Sequence, residues 1–408
     1  MSCAPARKSA SATNEKISAD TFIEDLLNKY PAYFDTLIKN KELYNIQIIY
    51  TQIDRQNNNN PKFTDHYFNV DPRQYFYPAS TVKLPVALLA LQKLNELNIP
   101  GLDKNSTMIT ETGYTDQTAV NNDPTTPDGR PTIGQYIKKI LLVSDNDAFN
   151  RLYEFLGQEY INNTLHQMGY EDVQIIHRLN ISLPEDQNRH TNPVRFFDAA
   201  GKLIYEKPLE NSTIPYLVRN QKKGKGHYRN GTLINEPFDF SKKNQIYLTD
   251  LHHILRSLIF PLAVNKKQRF HLKDDDYRFI YKYMSMLPRE SKFPFYDSAE
   301  YWDTYVKFNL YGNEKKPMDP DIRIFNKVGD AYGYLIDVAY IVDFKKNIEF
   351  MLTATIHCDT DGIFNDDKYD YETIGYPFLK NLGKVFYEYE LSRTQTQPDL
   401  SAFKLSYD

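Results

Sequence analysis

The 408-residue sequence predicts an α/β protein. One antiparallel five-stranded sheet is assembled from both ends of the chain and flanked by helices, with an all-α domain inserted between the two halves. Three observations carry this. Near the N-terminus, Leu43–Asp54 alternates and is rich in isoleucine and tyrosine, and Lys62–Val70 forms its hairpin partner across an asparagine-rich turn. Near the C-terminus, Ile322–Val328, Tyr332–Asp343 and Asn347–Ile356 read as successive strands, with turns at Gly329–Ala331 and Asp343–Lys346. Between these groups, apolar residues recur at helical spacing.

In chain order, residues 1–17 are small and polar and read as a disordered leader. Thr21–Tyr30 reads as a helix with Phe22, Leu26 and Leu27 on one face and Asp20 as a candidate cap. After the first hairpin, Phe68 to Tyr77 is extended. An apolar helix then runs through Leu84, Ala87, Leu88, Leu91 and Leu94 and stops near Asn98-Ile99-Pro100-Gly101. Thr107–Thr112 is short and extended, and Asn121–Arg130 is a polar loop. Thr132–Leu142 is helical, with Ile133, Tyr136, Ile137 and Ile140 on one face. Ser144–Leu156 is a second helix, stopped by Gly157. Residues 201–324 are the least legible. They hold a basic run, Lys222-Lys223-Gly224-Lys225-Gly226, read as a solvated loop, and helical stretches near Thr249–Phe260 and Asp275–Leu287. Tyr371–Tyr389 closes the chain as a helix. The α/β part thus covers residues 18–100 and 322–408, and the helical part 101–321 includes a long insertion.

The totals narrow the function classes. Apolar residues make up 41% and charged residues 25%, ordinary for a folded globular chain. A net charge of −4 gives no reason to expect a nucleic-acid partner. No apolar run approaches the ~18 residues of a membrane helix. Two cysteines, Cys3 and Cys358, exclude a disulfide framework. The 32 tyrosines and 24 phenylalanines beside a single tryptophan suit either an aromatic sugar-binding surface or a biased composition; the second is the simpler reading.

Three short motifs carry chemistry. Tyr77-Pro-Ala-Ser80-Thr-Val-Lys83 lies at a junction from extended chain to helix. Ser80 therefore sits in a first helical turn, where unpaired N–H groups and the positive dipole end favour a developing anion. Lys83, three residues on, shares the helical face of Ser80. A desolvated lysine with a lowered pKa is able to take the serine proton. By spacing alone Ser-x-x-Lys is weak: it recurs at Ser401–Lys404 in a polar tail, and most matches are a cap and a solvated lysine. Ser144-Asp145-Asn146 starts a helix, where serine or aspartate also serves as a plain N-cap. Lys327-Val328-Gly329 is on a strand and reads by itself as a strand-end lysine before a glycine turn.

In this order and setting, the three motifs resemble those of the penicillin-recognising serine enzymes, the class A β-lactamases and related DD-peptidases. The likeness spans nearly the whole chain. It implies a β-lactamase/transpeptidase-like fold and an acyl-enzyme mechanism with no metal or cofactor. It implies Ser80 as nucleophile and Lys83 as its general base or proton relay. Ser144 would pass a proton to the leaving nitrogen, and Lys327 would lower the pKa of that hydroxyl and hold an anionic group of the substrate. Asn146 would bind the substrate's amide side chain, with Val328, Gly329 and Asp330 along the substrate and Asp145 structural. The backbone N–H groups of Ser80 and Asp330 would form the oxyanion hole.

Two departures stand out. Val328 replaces the hydroxyl residue of the family's Lys-Thr-Gly or Lys-Ser-Gly, removing one hydrogen bond to a β-lactam carboxylate. The segment matching the family's Ω-loop, from His177-Arg178-Leu179-Asn180 through Pro184-Glu185-Asp186 to Thr191-Asn192-Pro193, lacks the Glu-Pro pair that activates the deacylating water. Glu185 is its one glutamate, and a solvated loop carboxylate is the simpler account of it. The resemblance leads to a hydrolase of β-lactams or peptidoglycan-like amides with slow deacylation. The alternatives are a DD-peptidase or other penicillin-binding enzyme, and a non-catalytic binding protein that keeps the fold. It also points to the bacterial periplasm or cell envelope. Met1-Ser2-Cys3 resembles a lipoprotein start whose signal was removed before the lipidated cysteine, so a lipid anchor at Cys3 is expected; a frayed cytoplasmic tail is the alternative.

Overall fold

The computed structural model describes residues 20–217, 219–394 and 397–407. The expected leader and Cys3 lie outside these.

Five strands form one antiparallel sheet: β1 (Gln47–Arg55), β2 (Pro61–Phe68), β3 (Ile322–Ala331), β4 (Tyr334–Asp343) and β5 (Ile348–His357). Their spatial order is β3-β4-β5-β1-β2, so the C-terminal strands pair onto the N-terminal hairpin through β5 and β1. The asparagines between β1 and β2 make the turn because Asn58 and Asn59 both adopt φ 60°, which asparagine tolerates. The turn expected at Gly329–Ala331 falls later. The β3 strand runs on to Ala331, and the chain reverses at Tyr332 (φ 53°) and Gly333 (φ 75°). Gly333 offers the positive φ without strain, whereas Gly329 has no turn geometry. Asp330 is consequently a strand residue.

Apolar clusters cover both faces of the sheet. One face packs on the terminal helices Phe22–Leu27, Pro31–Lys39 and Tyr376–Ser392. The other meets the helical region. The helix Lys83–Leu97 lies within that region, and Leu84, Val86, Ala87, Leu88, Leu89 and Ala90 are all fully buried. The unbroken apolar run Leu84–Leu91 is why its first two turns sit at the centre rather than on the surface. The helices Ile133–Val143 and Asn146–Leu156 pack against it. Thr132 caps the first by accepting from Gln135 N at 3.0 Å.

The middle of the chain holds short strands besides its helices. Thr107–Thr110 pairs with Val194–Phe197, which pairs with Leu203–Lys207. The basic run is not a solvated loop: Lys222–Lys223 pairs with Phe238–Asp239, and Gly226–Arg229 pairs with Thr232–Ile234 and Ile363–Phe364. Gly224 (φ 75°) allows the change of direction between the two pairings, and Gly226 packs beneath Ile234 and Ile363. The helix Pro31–Lys39 went unread in the sequence, although Pro31 opens its first turn and Phe34 and Ile38 form its buried stripe. Among the described residues, no helix is long and apolar enough to cross a membrane.

The C-terminal helix crosses the Phe308–Tyr311 segment at Gly383, where an added Cβ would stand 2.2 Å from Leu310 N. Gly383→Ala forces these two backbones apart. It should lower the unfolding free energy by roughly 1–3 kcal/mol, read as an earlier urea midpoint.

Candidate active site

The turn before the buried helix is tighter than α. Ala79–Val82 is 3₁₀, and α geometry starts at Lys83. Pro78 O accepts both the N–H and the Oγ1 hydroxyl of Thr81, at 3.0 and 2.6 Å. Ala79 has φ 47°, a strained conformation for a residue with a Cβ, directly before Ser80. Ser80 itself is half-buried.

Lys83 is wholly buried. Its Nζ donates to Ser144 O at 2.5 Å, Ser144 Oγ at 3.3 Å and Asn146 Oδ1 at 2.7 Å. The expected hydrogen bond to Ser80 is not among these. The lysine reaches across to the second motif instead of back along its own helix. Burial pushes its amine well below the ordinary lysine range; repulsion from Lys327 adds to this, and Asp145 and Asp330 oppose it.

The second motif bridges two helices. Ser144 ends Ile133–Val143 in the left-handed region, φ 62°, and Asp145 caps Asn146–Leu156 by accepting from Ala148 N at 2.7 Å. The left-handed residue turns the chain sharply enough to bring Ser144 Oγ and Asn146 Oδ1 to the same amine.

The third motif lies on β3, the edge strand nearest the Ser80 turn. Lys327 Nζ donates to Ser144 Oγ and to Val328 O, both at 2.8 Å. Burial pushes this amine down to about 7, against Asp330 and Asp337. Gly329 makes the close approach possible: a Cβ there would lie 2.8 Å from Pro78 O and 3.1 Å from Ser80 N. Ser80, Ser144 and Lys327 are thereby brought to one cleft, with Lys83 and Asn146 beneath them. Val328 corrects an expectation. Strand alternation turns its side chain into the core, 1% exposed, so it offers a substrate only backbone. Asp330 is exposed at the cleft. The crowded surroundings push its carboxyl up, while Lys327 and Lys83 pull it down.

A polar layer missed in the sequence supports β3. Lys307 Nζ donates to Met284 O, Ile324 O and Asn326 Oδ1, and Asn326 Nδ2 donates to Val306 O and Asp337 Oδ1. Asp337 also accepts from Asn309 N, and burial pushes its carboxyl up to about 6. These residues come from separate regions, and no local spacing announces them.

The loop after Arg178 is stitched down at several points. Arg178 donates to Glu154 Oε1, Gln187 O, His190 O and Asn192 Oδ1. Asn150, one helical turn past Asn146, exchanges two hydrogen bonds with the backbone of Leu179. Glu185 faces away from this network. It accepts from Arg189 and Lys242, and those cations hold its carboxyl below the usual range, Lys242 most strongly. Among the described residues, no group of three or more His, Cys, Asp or Glu side chains is placed to hold a metal ion.

Comparison with known proteins agrees with this architecture. The family model described as "Beta-lactamase enzyme family" matches residues 32–375. A β-lactamase from Xanthomonas campestris pv. campestris superposes with TM-score 0.50 at 12% identity, covering 89% of this chain and 98% of its own. An ancestral class A β-lactamase gives TM-score 0.47 at 13% identity, covering 90% and 99%. A β-lactamase from Burkholderia phymatum gives 0.48 at 12%, covering 89% and 98%. No curated protein sequence matches the chain. With the family model spanning the N-terminal hairpin, both central motifs and the edge strand, the chain belongs to the β-lactamase enzyme family.

Proposed function

We propose that the protein is a serine hydrolase of β-lactams or peptidoglycan-like amides, acting through an acyl-enzyme at Ser80 that water releases slowly. The observation that carries this reading is the Ser144 hydroxyl held between two buried lysines beside the turn bearing Ser80. Burial favours the neutral amine at Lys83. Two N–H bonds then go to Ser144 O and Asn146 Oδ1, and the lone pair is left to take a proton. Ser80 Oγ attacks the carbonyl carbon and Lys83 takes its proton. The oxyanion is met by the N–H groups of Ser80 and Asp330, next to each other through Gly329. Lys83 returns the proton through Ser144 to the leaving nitrogen, and the C–N bond breaks. Charged Lys327 stabilises negative charge on Ser144 Oγ during that transfer.

Release of the acyl group needs a base for water. Glu185 is occupied by Arg189 and Lys242, and Glu154 is clamped by Arg151 and Arg178. A positioned base contributes about 10²–10⁴ in rate, so its lack leaves a long-lived acyl-enzyme. This observation also favours the second reading, a penicillin-binding DD-peptidase.

Intact-mass analysis after mixing with benzylpenicillin should record one adduct that persists over many minutes. Ser80→Ala should abolish it, while Glu185→Gln should leave its lifetime unchanged. Rapid loss of the adduct in the wild type, with a stalled adduct in Glu185→Gln, would reverse the assignment of slow release.

The two lysines define a pH window for acylation. Lys83, pushed well below the ordinary lysine range by burial, sets a rising limb as it becomes neutral. Lys327 is charged below about 7 and loses its proton as the pH rises through that value. Single-turnover acylation should therefore decline above pH about 7; a rate still rising tenfold per unit from pH 7 to 9 would contradict the charged role of Lys327.

Gly329→Ala tests the oxyanion geometry. The added methyl meets Pro78 O and Ser80 N, separating the two donors. Acylation should fall by about 10²–10³ with the thermal midpoint little changed, since one lost donor costs that much.

A further inference from the structure

A cavity of about 260 Å³ is lined on one side by Asn146. Its first wall is a single face of the helix Asn146–Leu156, on which Asn146, Asn150 and Glu154 follow at four-residue spacing. The facing wall is the loop after Arg178, pinned by the two hydrogen bonds between Asn150 and Leu179. Asn146 joins the cavity to the proposed general base, since its Oδ1 accepts from Lys83 Nζ at 2.7 Å. Among the described residues, its own amide N–H groups make no hydrogen bond.

The buried end of the cavity holds hydrogen-bonding atoms left over from the clamp. Glu154, 1% exposed, gives Oε1 to Arg151 at 3.0 Å and to Arg178 at 2.9 Å. Its buried Oε2 has no partner among the described residues. Arg178 also donates to Gln187 O at 3.1 Å, so Gln187 stands against the same guanidinium, and its buried Oε1 is likewise unpartnered. Arg151 Nε is a buried donor without an acceptor; Asp147 Oδ1 stands 3.6 Å away, beyond hydrogen-bond reach. Buried polar groups are normally paired, so two free acceptors and one free donor around one cavity fit a ligand of the opposite pattern. Charge selects neither sign: the guanidiniums of Arg151 and Arg178 stand against the carboxylates of Asp116, Asp147 and Glu154.

Resting on the hydrolase reading, we propose that this cavity is the subsite for the substrate's acyl side chain and that it takes a side chain ending in a primary carboxamide. Lys83 meets Ser144 and Asn146 together. Ser144 Oγ also accepts from Lys327, so the leaving nitrogen departs on that side. The acyl group stays on Ser80, and its side chain is left with Asn146, whose free N–H groups donate to a carbonyl. A carboxamide supplies two N–H donors, for Glu154 Oε2 and Gln187 Oε1, and one carbonyl oxygen for Arg151 Nε. Being neutral, it suits walls that carry both signs. Eight residues of helix separate Asn146 from Glu154, about 12 Å. An adipamoyl chain hydrogen-bonded at both ends covers roughly that length.

Penicillins differing only at the far end of the side chain test this. They are made by acylating 6-aminopenicillanic acid with adipamic acid (carboxamide), 6-oxoheptanoic acid (methyl ketone), adipic acid (carboxylate) or 6-aminohexanoic acid (ammonium). Ser80 Oγ attacks the lactam carbonyl, the lactam C–N bond breaks and the ring nitrogen takes the serine proton, so each adduct has the mass of protein plus penicillin. The second-order labelling constant is read by intact mass. The methyl ketone keeps the shape and the carbonyl of the carboxamide but loses both N–H donors. The carboxamide should acylate about tenfold faster than the methyl ketone, and faster than either charged end. Gln187→Met and Glu154→Gln should each bring the carboxamide-to-ketone ratio toward one. A labelling rate is read on active molecules only, so partial misfolding does not imitate the effect; if Glu154→Gln does not fold, Gln187→Met decides alone. Equal rates for carboxamide and ketone, a faster carboxylate or ammonium, a ratio unchanged in either folded variant, or labelling by benzylpenicillin with none by these four overturns the subsite and leaves the hydrolase reading standing. No Ser80 adduct from any of them or from benzylpenicillin overturns the acyl-enzyme reading and the subsite with it.

Discussion

Two buried lysine amines converge on one serine hydroxyl, and the rest of the molecule is arranged to make that tolerable. Lys83 and Lys327 both donate to Ser144 Oγ from almost fully buried positions. For Lys327 alone, holding the amine near 7 rather than 10.5 disfavours the charged form by on the order of 5 kcal/mol. The cost is met by geometry. Lys83 meets three oxygen acceptors and Lys327 two, and carboxylates at Asp145, Asp330 and Asp337 oppose the loss of charge. An apolar replacement for either lysine would relieve the desolvation but leave Ser144 Oγ with one donor instead of two.

Local backbone strain belongs to the same arrangement. Ala79 and Ser144 both occupy the left-handed region next to or within the site. Each re-aims the chain within one residue: Ala79 before the Ser80 turn, Ser144 between two helices. Such conformations persist only where the surroundings over-determine them. Here the hydrogen bonds to Pro78 O, the Asp145 cap and the buried Lys307–Asn326–Asp337 layer do so.

The sheet was legible because alternation and turn residues are local signals. All five strands lie within a few residues of their expected places, and the errors fall where a turn residue misleads, as Gly329 did. That glycine marks a close backbone approach, and only the position of Ser80 N, far away in sequence, reveals it. The Ser-x-x-Lys spacing pointed to Ser80 and Lys83 but misjudged the lysine's partner, since Ser144 reaches it through tertiary packing. The basic run escaped because its pairing partners are short and one is more than a hundred residues away. The tyrosine abundance, read as compositional bias, includes mutually packed rings at Tyr296, Tyr301 and Tyr305 in the segment before β3, which composition alone has no means of locating.

The strand order dictates when this protein is able to fold. Gln47 pairs with Thr355, and the sheet has no link between its two halves other than β1 with β5. During synthesis the N-terminal hairpin and the apolar run Leu84–Leu91 emerge first and have no completed sheet to pack on. At roughly 5–20 residues per second, about 15–60 s separate the emergence of β1 from that of β5. Through that interval an unbroken run of eight apolar residues, Leu84–Leu91, is exposed, a condition that favours chaperone capture or premature association. Ring closure of so long a span is entropically slow, and Lys327 on β3 arrives more than 240 residues after Lys83. No nascent form that stops short of β3 therefore carries the three motifs together, and the proposed acylating centre assembles only after β3 has emerged.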